Sequence, residues 1–182
     1  MAIFVGTSEM KSSQDDTMRA FATFRVVGDD LIPSEITDIL RLFPTKSYAK
    51  GEKHDAGRRA GQIIGKTGVW YLATDRIVAS NRLVDHLLFL VSVLAPDSTL
   101  AGIAFLPKAT IGRPIAVAPF FRRLERLKMV MEKRNLRAVV TLFWHGAPGA
   151  KHPPLPRTLL TIFRAFSIEI EMDFDTDEQR VA

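Results

Sequence analysis

FATFRVVGDDLIPSEITDILRLF, residues Phe21 to Phe43, is the most legible stretch of the chain. Ala22, Phe24 and Val26 share one side of an extended segment, and Thr23, Arg25 and Val27 share the other, the pattern of a half-buried strand. Gly28-Asp29-Asp30 ends that strand with turn chemistry. Pro33 suits the first position of a helix, where a missing N–H costs nothing. Glu35 follows in the first turn, where negative charge meets the positive end of the helix dipole. Ile36, Ile39, Leu40 and Phe43 fall at i, i+3, i+4 and i+7, so they predict one buried stripe. Pro44 then stops the helix.

Upstream, residues 1–20 mix Ser, Gln, Asp and Lys without periodicity and are expected to be a mobile tail. Downstream, Thr45 to Lys50 predicts a short strand. Gly51 to Gly68 carries five glycines and a basic excess, and reads as a long loop, functional or disordered. Val69 to Ala73 (VWYLA) is apolar on both faces and predicts a central strand. Ser80 or Asn81 is expected to cap a helix from Arg82 to Ala95 that buries Leu83, Leu87, Leu90, Val91 and Leu94.

Gly102 to Leu106 and Ile115 to Ala118 are read as a hairpin. Pro119 opens a further helix, with Phe120, Leu124, Leu127 and Met131 on its apolar stripe and Asn135 as its C-cap. Arg137 to Trp144 predicts a strand, and Leu155 to Phe166 a helix burying Leu159, Ile162, Phe163 and Phe166. In the last strand Ile168, Ile170, Met172 and Phe174 are expected inward, with Glu169, Glu171, Asp173 and Asp175 outward. The resulting order is β-α-β-β-α-(hairpin)-α-β-α-β. It predicts an α+β fold: a mainly antiparallel sheet with helices on one face, built as a ferredoxin-like βαββαβ core extended by a further αβ unit. Residues 21–177 form the single domain, and 178–182 a C-terminal tail.

The chain is long enough, at 182 residues, for one well-formed core. Zero cysteines exclude disulfides, thiolate metal sites and a cysteine nucleophile. The opening MAIFVG has no basic n-region, and the apolar run Leu87 to Val91 is too short to span a bilayer, so a cytoplasmic protein without membrane contact is expected. Charge is unevenly spread. Arg113 to Arg137 holds eight basic residues against two acidic, while Ile168 to Ala182 holds six acidic residues and Arg180. Such patches either orient a partner or face each other, and the second is the blander reading.

Several short motifs together resemble the bacterial family catalogued as domain of unknown function 4279. They are Gly28-Asp29-Asp30 with Pro33-Ser34-Glu35-Ile36-Thr37, Leu40, Pro44-Thr45 and Gly51. Gly68-Val69-Trp70, Asp85-His86-Leu87, Leu94 and Pro96 continue the pattern. The acidic strand Ile168 to Phe174 is similar in kind to that family's close. The resemblance implies a small cytosolic α+β domain without an assigned activity, and it brings no catalytic residues with it.

Motifs that carry chemistry do not survive inspection. Gly61 to Gly68 (GQIIGKTG) has three residues before its Gly-Lys-Thr where a phosphate loop needs four, and a strand rather than a helix follows. Asp173, Asp175 and Asp177 imitate a calcium loop, but Glu178 stands where that loop demands glycine. His54, His86, His145 and His152 lack metal-ligand spacing. Neither a metal nor a cofactor is expected, and enzyme status is left open with no catalytic residue named. The leading reading is a non-catalytic protein-interaction module, toxin-neutralising or regulatory, with a protein partner or a homo-oligomer. A second reading is nucleic-acid binding through the basic loop 46–66 and the basic helix 119–134, which holds Arg122 and Arg126. A third is a small-molecule or catalytic cleft near Asp29, Trp70 and His145, with Asp30 beside it.

Overall fold

The computed structural model describes residues 19–56, 59–96, 121–147 and 149–176. Its elements in chain order are β1 (Arg19–Gly28), α1 (Pro33–Leu40), β2 (Lys46–Tyr48), β3 (Lys53–Ala56), β4 (Arg59–Ile64) and β5 (Gly68–Ala73). There follow α2 (Leu83–Leu94), α3 (Arg122–Arg134), β6 (Arg137–Gly146), α4 (Arg157–Ala165) and β7 (Ile168–Thr176). Most of the expected N-terminal tail, the hairpin expected within 97–118 and the C-terminal tail lie outside the described residues. So do Pro119 and Phe120.

Five strands form one sheet in the order β2-β5-β1-β6-β7, and β3 and β4 form a separate pair. β1 runs antiparallel to both β5 and β6, and β2 is antiparallel to β5. Only β6 and β7 run parallel, which requires the crossover that α4 provides. The α+β class and the mainly antiparallel sheet therefore stand as expected.

Register sorts the two faces. Phe24 lies opposite Leu72 and Val140, and Val26 opposite Trp70 and Ala138. These residues are buried in one hydrophobic cluster to which all four described helices contribute: Ile36 and Leu40, Leu87 and Leu90, Leu124 and Leu127, Ile162 and Phe163. Each large side chain fully buried there is worth about 1.5–3 kcal/mol of transfer free energy. Among the described residues no helix is long and apolar enough to cross a membrane.

A buried polar link ties α2 to β1. His86 is only 1% exposed. Its Nε2 lies 2.9 Å from the Ser80 carbonyl, an acceptor, so Nε2 carries the proton and donates. Nδ1 lies 2.6 Å from the Thr74 hydroxyl oxygen, which accepts from the Ala22 amide at 2.9 Å and lies 2.8 Å from the Ala22 carbonyl. His86 is thus a satisfied core residue.

Several expectations are corrected. β1 begins at Arg19, inside the expected tail. α1 ends at Leu40 because Arg41 turns left-handed at φ 53°, and the residue before Pro44 is then steered to extended backbone. Phe43 consequently leaves the stripe and stands 89% exposed. The loop 51–68 contains the β3–β4 hairpin. α2 is preceded by Arg82 with no side-chain cap; Ser80 Oγ instead accepts from the Arg82 amide and donates to Asp85. Met172 shares the inward face of β7 yet is 54% exposed, because β7 is the edge strand and has no outer neighbour among the described residues.

The Gly28 turn explains two of the glycines. Gly28 and Gly68 stand opposite one another. A Cβ on Gly68 would lie 2.9 Å from the Gly28 carbonyl oxygen and 2.9 Å from Leu31 Cβ, neither of which is a flexible chain end. Gly68→Ala is therefore expected to destabilise the fold by about 1–3 kcal/mol. Urea unfolding should show a lower midpoint at unchanged slope; an unaltered midpoint would show that the turn yields freely.

Candidate functional site

α3 buries Leu124, Leu127 and Met131 and turns Arg122, Arg126, Met129 and Lys133 outward. The outward set falls at i, i+4, i+7 and i+11, one stripe of the helix. α3 lies antiparallel against α1 and is clasped to it at both ends. Near its N-terminus, Arg123 Nη1 donates to the Leu40 carbonyl at 2.8 Å and to the Val93 carbonyl at 3.4 Å. That places a cation on the negative ends of α1 and α2. Near its C-terminus, Arg134 Nε sits 2.7 Å from the Glu35 carboxylate, with both side chains about one-third exposed or less (27% and 34%).

Beside the Arg134–Glu35 clasp lie two adjoining shallow cavities that together form one groove. One, of about 430 Å³, lies between α1 and α3; the other, of about 450 Å³, lies between the turn before α1, Ala49–Lys50 and the C-terminal end of α3. Ile32 and Arg134 line both. Ile32, Ile39, Met129 and Val130 supply apolar lining. Asp30 and Asp38 stand on the α1 side, Arg126 and Lys133 on the α3 side. These four charges form no ion pair among the described residues. Asp29, at the same end, is held by the Lys50 ammonium. Hydrogen bonds from Lys50, and then from Thr67, hold its carboxyl below the ordinary aspartate range.

Of the residues singled out in the sequence, Asp29, Asp30 and Arg126 meet in this groove, and Arg122 extends its basic stripe. Trp70 does not join them. It is fully buried on the core face, and its Nε1 donates to Thr37 Oγ1 at 3.0 Å. His145 lies on the opposite sheet face, in register with Arg19 at the far end of β1 from Gly28. Asp29 and His145 are therefore separated by nearly the length of β1, roughly 30 Å at about 3.3 Å per residue. The Asp29–Trp70–His145 cleft is not assembled. His145 is instead 3.8 Å from Asp175. Among the described residues no cluster of metal-ligating side chains occurs.

The basic segments are partly consumed by the fold. Lys46 donates to the Asp55 carbonyl, Lys50 holds Asp29, Arg123 caps helices and Arg134 pairs with Glu35. On the sheet face that carries no helix among the described residues, Arg137 and Arg25 engage Glu169 and Glu171. The Arg137 guanidinium holds Glu169 below its usual range and is itself pushed up by it. The basic and acidic patches of the sequence thus partly neutralise each other there. Ile32, Asp38 and Met129 were missed as site residues, whereas Lys133 lay within the basic helix 119–134. The exposed α3 stripe was their one readable signal, since the pairing of α1 with α3 is long-range.

Two outcomes follow. Arg123→Ala removes charge-assisted bonds to two helix ends and is expected to cost about 1–3 kcal/mol in chemical denaturation, with Arg123→Lys recovering part; full stability of the alanine variant would refute the clasp. Because folding lowers the Asp29 pKa, its stabilisation is present above the ordinary aspartate range and lost as pH falls through the folded value. A carbon-detected titration should place the Asp29 midpoint below that of an unfolded-chain aspartate, and Lys50→Ala should raise it; a midpoint unmoved by the substitution would refute the assignment.

A family model described as a domain of unknown function (DUF4279) matches residues 17–177. No curated protein and no solved structure shows a significant match to the chain. With the match running from just before β1 to the end of β7, the chain belongs to the DUF4279 family.

Proposed function

We propose that this protein is a non-catalytic interaction module that holds a partner protein in the α1–α3 groove. A regulatory or toxin-neutralising role fits that mode of action. The observation that carries the reading is the coincidence of exposed apolar side chains with charges that have no ion pair among the described residues. Ile32 and Met129 are 42% and 60% exposed, yet they line one groove whose walls hold Asp30, Asp38, Arg126 and Lys133. Apolar groups rimmed by polar ones mark interaction sites more often than scattered surface leucines do.

Nucleic-acid binding is less well supported. Phosphate recognition needs a surplus of cations, whereas the α3 stripe faces acids on α1. We also read the strand order β2-β5-β1-β6, all antiparallel, as a ferredoxin-like core with α4 and β7 appended. A cytoplasmic location is proposed from the cysteine-free composition.

Site-specific photocrosslinking tests the interaction reading. A photoreactive residue at Met129, expressed in the cells that naturally make the protein, is expected to give one discrete heavier adduct. Arg126→Glu should abolish it, and the same probe at Asp173, on the other sheet face, should not form it. Equal adducts at both positions, or none at Met129 across growth conditions, would sink the proposal.

A further inference from the structure

Resting on that reading of the groove, we infer that its occupant is an amphipathic helix of a partner protein, at least about two turns long. Its apolar stripe carries basic residues along one flank and acidic residues along the other. Three features choose this occupant. The first is shape. The groove is concave between two antiparallel helices, so a convex rod fills it, whereas a second copy would set one hollow against another.

The second feature is charge. The walls carry opposite signs, Asp30 and Asp38 on one side and Arg126 and Lys133 on the other. A helix with a single-sign polar face would meet repulsion from one wall, and only a two-signed helix meets attraction from both. The same polarity also sets the direction in which the helix lies, because reversing it exchanges the flanks. The third is length. The α3 wall of the groove runs from Arg126 to Arg134, about 12 Å at a rise of roughly 1.5 Å per residue, which matches a helix of about eight residues. Ile32 and Met129 then receive side chains at the i, i+3/i+4 and i+7 positions of the partner.

Three fluorescent peptides of about 14 residues test this, each with the same leucine stripe. One has lysine on one flank and glutamate on the other; the remaining two have all-lysine or all-glutamate flanks. Polarisation titration carried to about millimolar full-length protein, where weak groove-confined binding is readable, is expected to rank the two-signed peptide roughly tenfold tighter than either single-signed one, a difference of about 1.4 kcal/mol. Its binding should weaken with added salt. The doubly substituted R126E/K133E protein, altered at two exposed positions and checked for retained circular dichroism, should now prefer the all-lysine peptide.

Indifference among the three peptides, no measurable binding of the two-signed one, or a ranking unmoved by R126E/K133E overturns the inference. Concentration-dependent dimerisation that Met129→Glu abolishes would assign the face to a second copy instead and equally overturn it. The two readings fail separately. If Met129 crosslinks to a partner while the peptides are not discriminated, the groove remains an interaction site and only its helical occupant is lost.

Discussion

Strand β1 has neighbours on both edges, β5 and β6, so its side chains reach nothing but the two faces of the sheet. One face carries Ala20, Ala22, Phe24 and Val26, each 4% exposed or less. Every described helix contributes to the cluster around them. The other face carries Thr23, Arg25 and Val27 and closes over itself with the Arg25–Glu171 and Arg137–Glu169 pairs. A one-residue slip of β1 would exchange these sets and place Arg25 in the core, so the register is strongly specified. With the described helices gathered on one side, the proposed partner would meet the outer surface of the helical layer rather than the sheet.

Within that layer, α1 is short and α3 is longer, and the contact between them is clamped at its ends rather than zipped along its length. Arg123 reaches the Leu40 carbonyl at one end, and Arg134 reaches Glu35 at the other. An arginine on helix-terminal carbonyls satisfies acceptors that have no partner inside their own helix. The clamp leaves a hollow between the helices that Met129 lines, with Ile32 at its edge just before α1. The groove is thus a consequence of how the two helices are joined.

Much of the fold was legible, because local chemistry and tertiary packing agree over most elements. The left-handed C-caps show the limit of that agreement. Asn135 adopts φ 51° and was readable, since asparagine tolerates that region. Arg41 adopts φ 53° with no such preference, so the end of α1 was misplaced and Phe43 was put in the core. β3 and β4 were illegible because their pairing is irregular between His54 and Ala56 and their residues do not alternate. The groove was half legible. Asp29, Asp30 and Arg126 stood out as charges, but they are brought near one another by the packing of α1 on α3, whose Arg123–Leu40 contact spans 83 positions of sequence that no local pattern encodes.

Magnitudes divide the labour inside the groove. Exposed ion pairs contribute about 0–1 kcal/mol each, so Asp30, Asp38, Arg126 and Lys133 do more for orientation and encounter rate than for affinity. Affinity must come from desolvating Ile32 and Met129. Fully burying such a side chain yields about 1.5–3 kcal/mol, and each is already roughly half covered. Together they supply only about 2–3 kcal/mol, well short of the approximately 8 kcal/mol of a micromolar complex. Binding confined to the groove is therefore weak and fast, and a tight complex requires contact beyond it. Asp29 and Lys50 continue the groove at the α1 N-terminal end, and Arg122 continues it at the other. A longer partner helix would extend along those three residues, where the oppositely charged walls already set its direction.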